Sequence, residues 1–588
     1  MNFNLFMDKL SKHQTKAYLC LVFILIGTLV WRSQIVPITQ DESISLFEFM
    51  LDFPDRVFYI PSANNHLLNT LLASACVSLF GESTLALRLP NVLSFLIYAF
   101  SIWKIFERQS NLTKWLGIIG LLFCLNVFEY FGLARGYGMS ISLLMYHIYA
   151  TSRFQQYGSI KWLLLSLGSI VLAASASFTL LPQVLISITF ITASLLFCKR
   201  IKWYHFGVLM PFLVFFFWLL QIALNLSKKG EIYLGNKSNV WVGLFEPLFN
   251  YLRFHFDHLV FLSSLIIFTL FILNAFVNMM RKPTIWFTSM FAFTSLIIFG
   301  NVLISIVLAE FLGVNYPFER AALYLLPIAL ISYFIIPFSG KKTKYVVVFH
   351  FVFGIMLSGR FLADFYNNYQ LEATSIEPEN NLPNEIIERL ATISDSTSNA
   401  QIIRVSDQYT DVFRYYNFYL FHHLFSANKQ SEDATADYYL TNQTVLENLN
   451  LVLRSGDSYL YVNPDFNRKL VDELPYLNEA KEFSQLEFVG IFRDSLDLGS
   501  DQFIELAFEV RSKECARYAI VMQLDQDNKT IYSKHFRLDE LLLQKEASYV
   551  KYWPVPSNRR VKVKLFLSNI DKELVKLEVN SLKLLTNK

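Results

Sequence analysis

What most constrains this chain is a succession of long apolar runs confined to its first 363 residues. A helix needs about 20 apolar residues to cross a bilayer. Runs near that length fall at 17–36, 85–103, 115–131, 136–152, 162–178, 180–198, 204–225, 258–279, 285–310, 321–338 and 344–362. They predict a polytopic α-helical membrane domain of about eleven spans over residues 1–363. A further apolar run at 66–80 has only 15 residues and predicts a juxtamembrane or half-inserted helix on the outer face. Composition agrees: 54% of residues are hydrophobic and 17% charged, against roughly 25% charged in soluble domains. A soluble enzyme, a disordered scaffold and a disulfide-rich secreted domain are all poor fits.

Charge divides where hydropathy does. Residues 1–363 hold 26 Lys and Arg against 14 Asp and Glu; residues 364–588 hold 25 against 34, so +12 is followed by −9. A basic apolar part followed by an acidic polar part reads as a membrane domain followed by a water-soluble one. Lys9, Lys12 and Lys16 precede the first run, and later clusters are Lys104/Arg108/Lys114, Arg153/Lys161, Lys199/Arg200/Lys202, Arg281/Lys282 and Lys341/Lys342/Lys344. Eleven spans put all of them on one side, which the positive-inside rule makes cytoplasmic. The N-terminus is then cytoplasmic and the C-terminal part lies outside. WRSQIV offers no small-residue cleavage site, so the first run reads as a retained signal anchor. The basic residues are scattered through loops, which reads as topology and not as nucleic-acid binding. Only Cys515 of the five cysteines is in the polar part, so no disulfide framework is implied.

Beyond residue 364 the pattern changes. Pro378 and Pro383 stand in an Asn/Glu-rich linker. IIERLATI reads as helix, QIIRVS as strand, DVFRYYNFYLFHHLF as helix, and ADYYLT and SYLYV as strands. That alternation predicts a linker and small α/β unit over 364–486. From 487 to 588 the segments FVGIF, FIELAFEV, YAIVMQL, TIYSKHF, VKVKLFL and LVKLEV predict a β-sandwich-like domain.

Chemistry is sought in the outer loops. Asp41-Glu42 directly follows the first run. Paired carboxylates at a membrane surface cost solvation unless something uses them. Such a group can act as general base or bind a divalent metal; equally, the pair can simply cap a helix. His66 opens the short apolar segment and reads as a metal ligand, a substrate contact or a structural polar group. Arg88 reads as structural. Arg135 is a cation in a very apolar neighbourhood with Tyr137 two residues on. It suits phosphate, with snorkelling or pairing with Glu129 as the alternatives. Glu319-Arg320 precedes the tenth run, where Arg320 suits a phosphate clamp. His255, Asp257 and His258 form a weak metal-binding pattern.

The order of these pieces resembles the GT-C superfamily of integral membrane glycosyltransferases. An Asp-Glu loop after the first span is followed by a His-Leu-Leu segment and by Leu-Arg-Leu-Pro opening a span. An Ala-Arg-x-Tyr corner comes next, and a late Pro-x-x-Arg before Leu-Leu-Pro completes the set. The branch most similar holds the protein O-mannosyltransferases and the lipid A aminoarabinose transferases, and the resemblance covers about 17–340. It implies transfer of a hexosyl or pentosyl group from a polyprenyl-phosphate carrier to an extracytoplasmic acceptor. Asp41 is then the base of an inverting displacement, assisted by Glu42. Arg135 and Arg320 hold the donor phosphate, and His66, Tyr137, Asn65 and Glu319 line the pocket. Metal dependence stays open, with Glu42, His66, His255 and Asp257 as candidate ligands and no other cofactor. Two departures are Leu67-Leu68 after His66, where the family often has two prolines, and Gly136, where it often has one.

The expected partners are the lipid-linked sugar, an acceptor that is protein, lipid or glycan, and membrane lipids, with no nucleic acid. The wealth of Phe, Ile, Asn and Lys suits an AT-rich bacterial genome, so the expected location is the inner membrane with a periplasmic tail. Two alternatives remain open. One is an O-antigen ligase or polymerase using a lipid diphosphate, which a large loop after span one argues against. The other is a lipid or solute transporter, whose polar sites usually lie near the bilayer midplane.

Overall fold

The computed structural model describes residues 3–50, 64–81, 83–229, 286–317, 319–335 and 344–374. Beyond these it describes 381–396, 401–420, 424–427, 436–444, 449–464, 468–474, 481–483, 488–498, 502–512, 518–526, 529–537, 547–554, 559–569 and 575–587. The chain divides into two compact units. One comprises Met1–Val36 with Glu48–Pro378, the other Pro37–Phe47 with Glu379–Lys588.

The first unit is helical. Its elements are α1 (Phe3–Ile35), α3 (Leu67–Phe80), α4 (Thr84–Phe106), α5 (Asn111–Leu122), α6 (Leu125–Glu129), α7 (Gly136–Tyr157), α8 (Ile160–Ala176), α9 (Leu181–Phe197), α10 (Trp203–Lys228), α11 (Met290–Leu312), α12 (Leu325–Phe334) and α13 (Lys344–Asn368), while α2 (Gln40–Ser45) belongs to the second unit. Helices stand at every expected run except 258–279, which lies outside the described residues together with Arg253, His255, Asp257 and His258. Among the described residues, 5 helices are long and apolar enough to cross a membrane, or 6 if α5 and the segment Leu125–Gly132, bent by 55°, form one span. A total of eleven spans remains an expectation.

Local sequence sets the ends. Ser83 and Ser289 accept backbone N–H bonds as N-caps of α4 and α11. Gly158 and Gly313 close α7 and α11 in the left-handed conformation, which glycine adopts without steric cost. Trp203, Phe206, Met210, Val214 and Phe217 are exposed along α10. Their three- and four-residue spacing makes an apolar stripe. A stripe of that kind needs a non-aqueous neighbour, which a bilayer provides for an integral membrane protein.

Inside the unit, Phe95, Tyr98, Phe128 and Phe131 pack edge to face and tilted between α4 and the α6 corner. His147 is fully buried, with Nδ1 at 2.8 Å from the Ser166 carbonyl and Nε2 at 2.8 Å from Ser187 Oγ. Both ring nitrogens are engaged, so His147 ties α7, α8 and α9 together, a structural use of a polar side chain among membrane helices. The Arg32 guanidinium donates at 2.6 Å to Glu129 and at 2.8 Å to the Ala373 carbonyl, while Thr374 Oγ1 donates to the other Glu129 oxygen at 2.6 Å. Glu129, the alternative partner for Arg135 in the sequence, thus forms a buried pair at the end of α1. Arg88 is also buried and donates to the Ser33 and Val36 carbonyls, satisfying the C-terminal end of the same helix. Its structural reading holds.

Among its described residues the second unit carries 14 strands with two further helices, α14 (Asn384–Ser396) and α15 (Thr410–Tyr419). A five-stranded sheet has the order β2-β1-β3-β5-β4. Here β1 (Gln401–Val405) runs parallel to β2 (Leu424–Ala427) and β3 (Tyr438–Thr441). The strands β3, β5 (Ser458–Val462) and β4 (Asn450–Ser455) are antiparallel. The expected helix through Phe425 stops at Tyr419, because Leu424–Ala427 gives its backbone hydrogen bonds to β1.

The remaining strands, among them β7 (Lys481–Phe483), β8 (Phe488–Leu498), β11 (Lys529–Arg537) and β12 (Ala547–Pro554), form two sheets, β11-β10-β13-β8 and β12-β9-β14-β6, with β7 against β14. One core joins them: Ile504, Leu506 and Phe508 of β9 (Gln502–Ser512), Ile520, Met522 and Leu524 of β10 (Tyr518–Gln526), and Val561, Val563, Leu565 and Leu567 of β13 (Arg559–Asn569). Alternate residues point inward, as in a sandwich of two antiparallel sheets. The sandwich begins by β6 (Arg468–Glu473), which pairs with β14 (Val575–Asn587).

Candidate active site

In the helical unit the candidates Asn65, His66, Arg135 and Tyr137 lie where α3 and α7 begin. A 3-10 turn at Tyr130–Gly132 follows α6, and the chain then runs extended through Arg135 into α7. His66 and Arg135 are the N-cap residues of α3 and α7, and neither side chain caps its own helix. The two starts touch. A Cβ added at Gly136 would lie 2.8 Å from His66 Cβ and 2.0 Å from the Ala176 carbonyl oxygen. One added at Gly138 would meet the Tyr130 carbonyl oxygen at 2.7 Å. Two helix N-termini side by side carry partial positive charge, and Arg135 adds a full one.

The Arg135 guanidinium is 3% exposed and donates to Asn64 Oδ1 at 2.6 Å, with its carbon 5.8 Å from the centre of the Tyr137 ring. Tyr137 packs edge to face on His66 at 4.9 Å and tilts against Tyr130 at 5.1 Å. His66 Nδ1 lies 2.8 Å from the Ala176 carbonyl at the end of α8. A carbonyl only accepts, so Nδ1 carries the proton, and Nε2 of the neutral ring is an acceptor. A buried guanidinium between an aromatic ring and two helix starts is suited to binding a phosphate.

An asparagine ladder, which the sequence reading missed, holds this corner. Asn69 of α3 donates to the Ala134 carbonyl at 3.0 Å, Asn91 of α4 donates to Asn69 Oδ1 at 2.5 Å, and the Met139 N–H donates to Asn91 Oδ1 at 3.1 Å. The signal available was an amide inside each of two apolar helices, where a polar group must find a partner. The candidate Asn65 accepts from Thr70 Oγ1 at 2.8 Å, so Asn64 is the neighbour that meets Arg135. The close backbone approach also explains the glycine at 136. We predict that Gly136→Ala lowers stability by about 1–3 kcal/mol, the usual cost of overpacking, because the clash is with backbone that cannot swing aside. Thermal unfolding of the purified variant measures it, and an unchanged midpoint would refute the packing.

Asp41 and Glu42 belong to the second unit, with Pro37–Phe47. They lie in α2, whose N-cap Thr39 forms a reciprocal capping box with Glu42. Glu42 Oε2 accepts from Thr39 N at 2.9 Å and from Thr39 Oγ1 at 3.1 Å, and Glu42 is fully buried. The capping reading therefore describes Glu42, while the half-buried Asp41 stands at the second helical position, outside the box.

Arg320 is half-buried in the single 3-10 turn Glu319–Ala321 ahead of α12. Of the metal candidates, Glu42 is committed to the capping box and His66 Nδ1 to a carbonyl. Among the described residues, no group of three or more His, Cys, Asp or Glu is arranged to hold a metal.

No protein-family model matches the chain, and no curated protein matches it. Among solved structures it is similar to ArnT from Cupriavidus metallidurans bound to undecaprenyl phosphate, at 11% identity over 77% of this chain and 98% of that one, with a TM-score of 0.46. It is similar to the same enzyme in the apo state at 10% identity over 76% and 98%, with a TM-score of 0.45. It is also similar to the arabinosyltransferase EmbB from Mycobacterium smegmatis, at 9% identity over 97% of this chain and 64% of that one, with a TM-score of 0.35. Likeness at this level carries no argument about chemistry.

Proposed function

We propose that this chain is an integral membrane glycosyltransferase that moves a sugar from a polyprenyl-phosphate carrier to an extracytoplasmic acceptor. The observation that supports it is the buried Arg135 guanidinium set at two adjoining helix starts, beside His66 and Tyr137, in a module otherwise built of apolar helices. In this reading an acceptor hydroxyl or amine attacks the anomeric carbon as the bond to the phosphate oxygen breaks. Asp41 takes the acceptor proton. The leaving group is a polyprenyl phosphate, whose new negative charge Arg135 and Arg320 stabilise, as preorganised cations do for developing charge. Attack opposite the leaving group inverts the anomer. Tyr137 and Asn64 orient the guanidinium, and Glu42 holds α2 through its cap.

The test is a panel of polyprenyl-monophosphate sugars given to purified protein in lipid, beside Arg135→Met. Wild type is expected to turn over one donor. The variant is expected to lose about 10²-fold or more in kcat/KM, the scale of removing one charge-stabilising donor. Equal turnover by the variant removes Arg135 from the site. The same assay with and without a chelator decides whether a divalent ion takes part.

A further inference from the structure

The helix that carries Asp41 is too short to stand alone. Gln40–Ser45 is regular and capped and runs on as a π-helix over Leu46–Met50, and even so the segment is below the length of about 12–15 residues at which an isolated helix holds in water. Its support comes from a helix some 370 residues later in the chain. The Ile38 N–H donates to the Tyr416 hydroxyl at 3.1 Å, just ahead of α2. Ser43 Oγ donates to the Asp411 carbonyl at 2.5 Å, and Gln40 Nε2 reaches the Asp411 carboxylate at 3.3 Å. Past its end, the Arg414 guanidinium lies 4.2 Å from the centre of the Phe47 ring. These contacts bracket Asp41 on both sides and all come from α15. That helix is itself fixed: Val412 and Phe413 are buried, and the Tyr409 hydroxyl at its start lies 2.8 Å from Ser458 Oγ of β5.

We propose that α15 is a positioning element for the reaction, with Tyr416 and Asp411 setting the place of the Asp41 carboxylate through the backbone of α2. The inference rests on Asp41 being the base. It makes the α/β unit part of the catalytic apparatus. A base displaced by a fraction of an ångström loses rate without losing substrate affinity.

The test uses full-length protein in lipid and a polyprenyl-phosphate sugar that wild type turns over. Tyr416→Phe removes the acceptor for the Ile38 N–H and keeps the ring. Ser43→Ala removes the second contact from the opposite partner, which keeps the test open if either variant folds poorly. Each is expected to lower kcat by about tenfold or more, with KM for the donor unchanged. The acid limb of the kcat–pH profile, which reports the base, is expected to move. Wild-type kcat in both variants, or a rise in donor KM that accounts for the loss, overturns the positioning role. If Asp41→Asn abolishes transfer while both variants keep wild-type kcat, only the positioning inference fails. If Asp41→Asn transfers as wild type does, the functional reading fails and this inference with it.

Discussion

Replacing Asp41 by Asn is expected to lower the rate of sugar transfer by about 10²- to 10⁴-fold, the usual contribution of a positioned general base. The amide has nearly the same shape and cannot take the acceptor proton. The substitution should leave α2 in place, because the cap is made by Thr39 and Glu42. Donor binding should therefore be retained, so the loss should fall on kcat and not on KM. Single-turnover kinetics on folded protein measure it. Transfer by Asp41→Asn within a few-fold of wild type would remove Asp41 from the chemistry.

The largest effect on stability is expected at Glu129. Its carboxylate and the Arg32 guanidinium are 0% and 2% exposed and meet at 2.6 Å. Removing one partner of such a pair leaves the other charge buried, at a cost of about 3–5 kcal/mol. Glu129→Ala should therefore lower the thermal midpoint sharply and loosen the end of α1, which Arg32 and Arg88 hold. A double variant, Arg32→Met with Glu129→Leu, is expected to recover part of the loss, since apolar replacements of a buried pair are often neutral or stabilising. A Glu129→Ala protein as stable as wild type would show that the pair does not hold the helix.

Long apolar runs made the helical unit readable, because a bilayer demands a length that no other element needs. The shortness of the run at 66–80 correctly marked a separate 14-residue helix. Alternating strands marked the sandwich, although its strands β6, β7 (Lys481–Phe483) and β12 (Ala547–Pro554) went unread among charged and polar neighbours. Pairings were not readable. Glu129 had cations at several distances along the chain, and its partner lies 97 residues away on α1. Nothing local announces such a choice, which depends on how helices cross. The Asp41-Glu42 pair shows both limits. Thr39-x-x-Glu42 is a recognisable capping pattern, and it accounts for one of the two carboxylates. The anchoring of α2 on α15 depends on contacts between segments whose sequences carry no mark of each other.

In the proposed reaction a phosphate monoester leaves as a sugar is transferred. The most direct measurement is product analysis after incubating the wild-type protein with its polyprenyl-phosphate sugar and an acceptor. Mass spectrometry would identify the lipid product, and NMR the anomer. One polyprenyl phosphate is expected to be released for each sugar transferred, with the anomeric configuration inverted. Release of a polyprenyl diphosphate from a diphosphate donor, or movement of intact lipid by folded protein without cleavage of any donor, would contradict it.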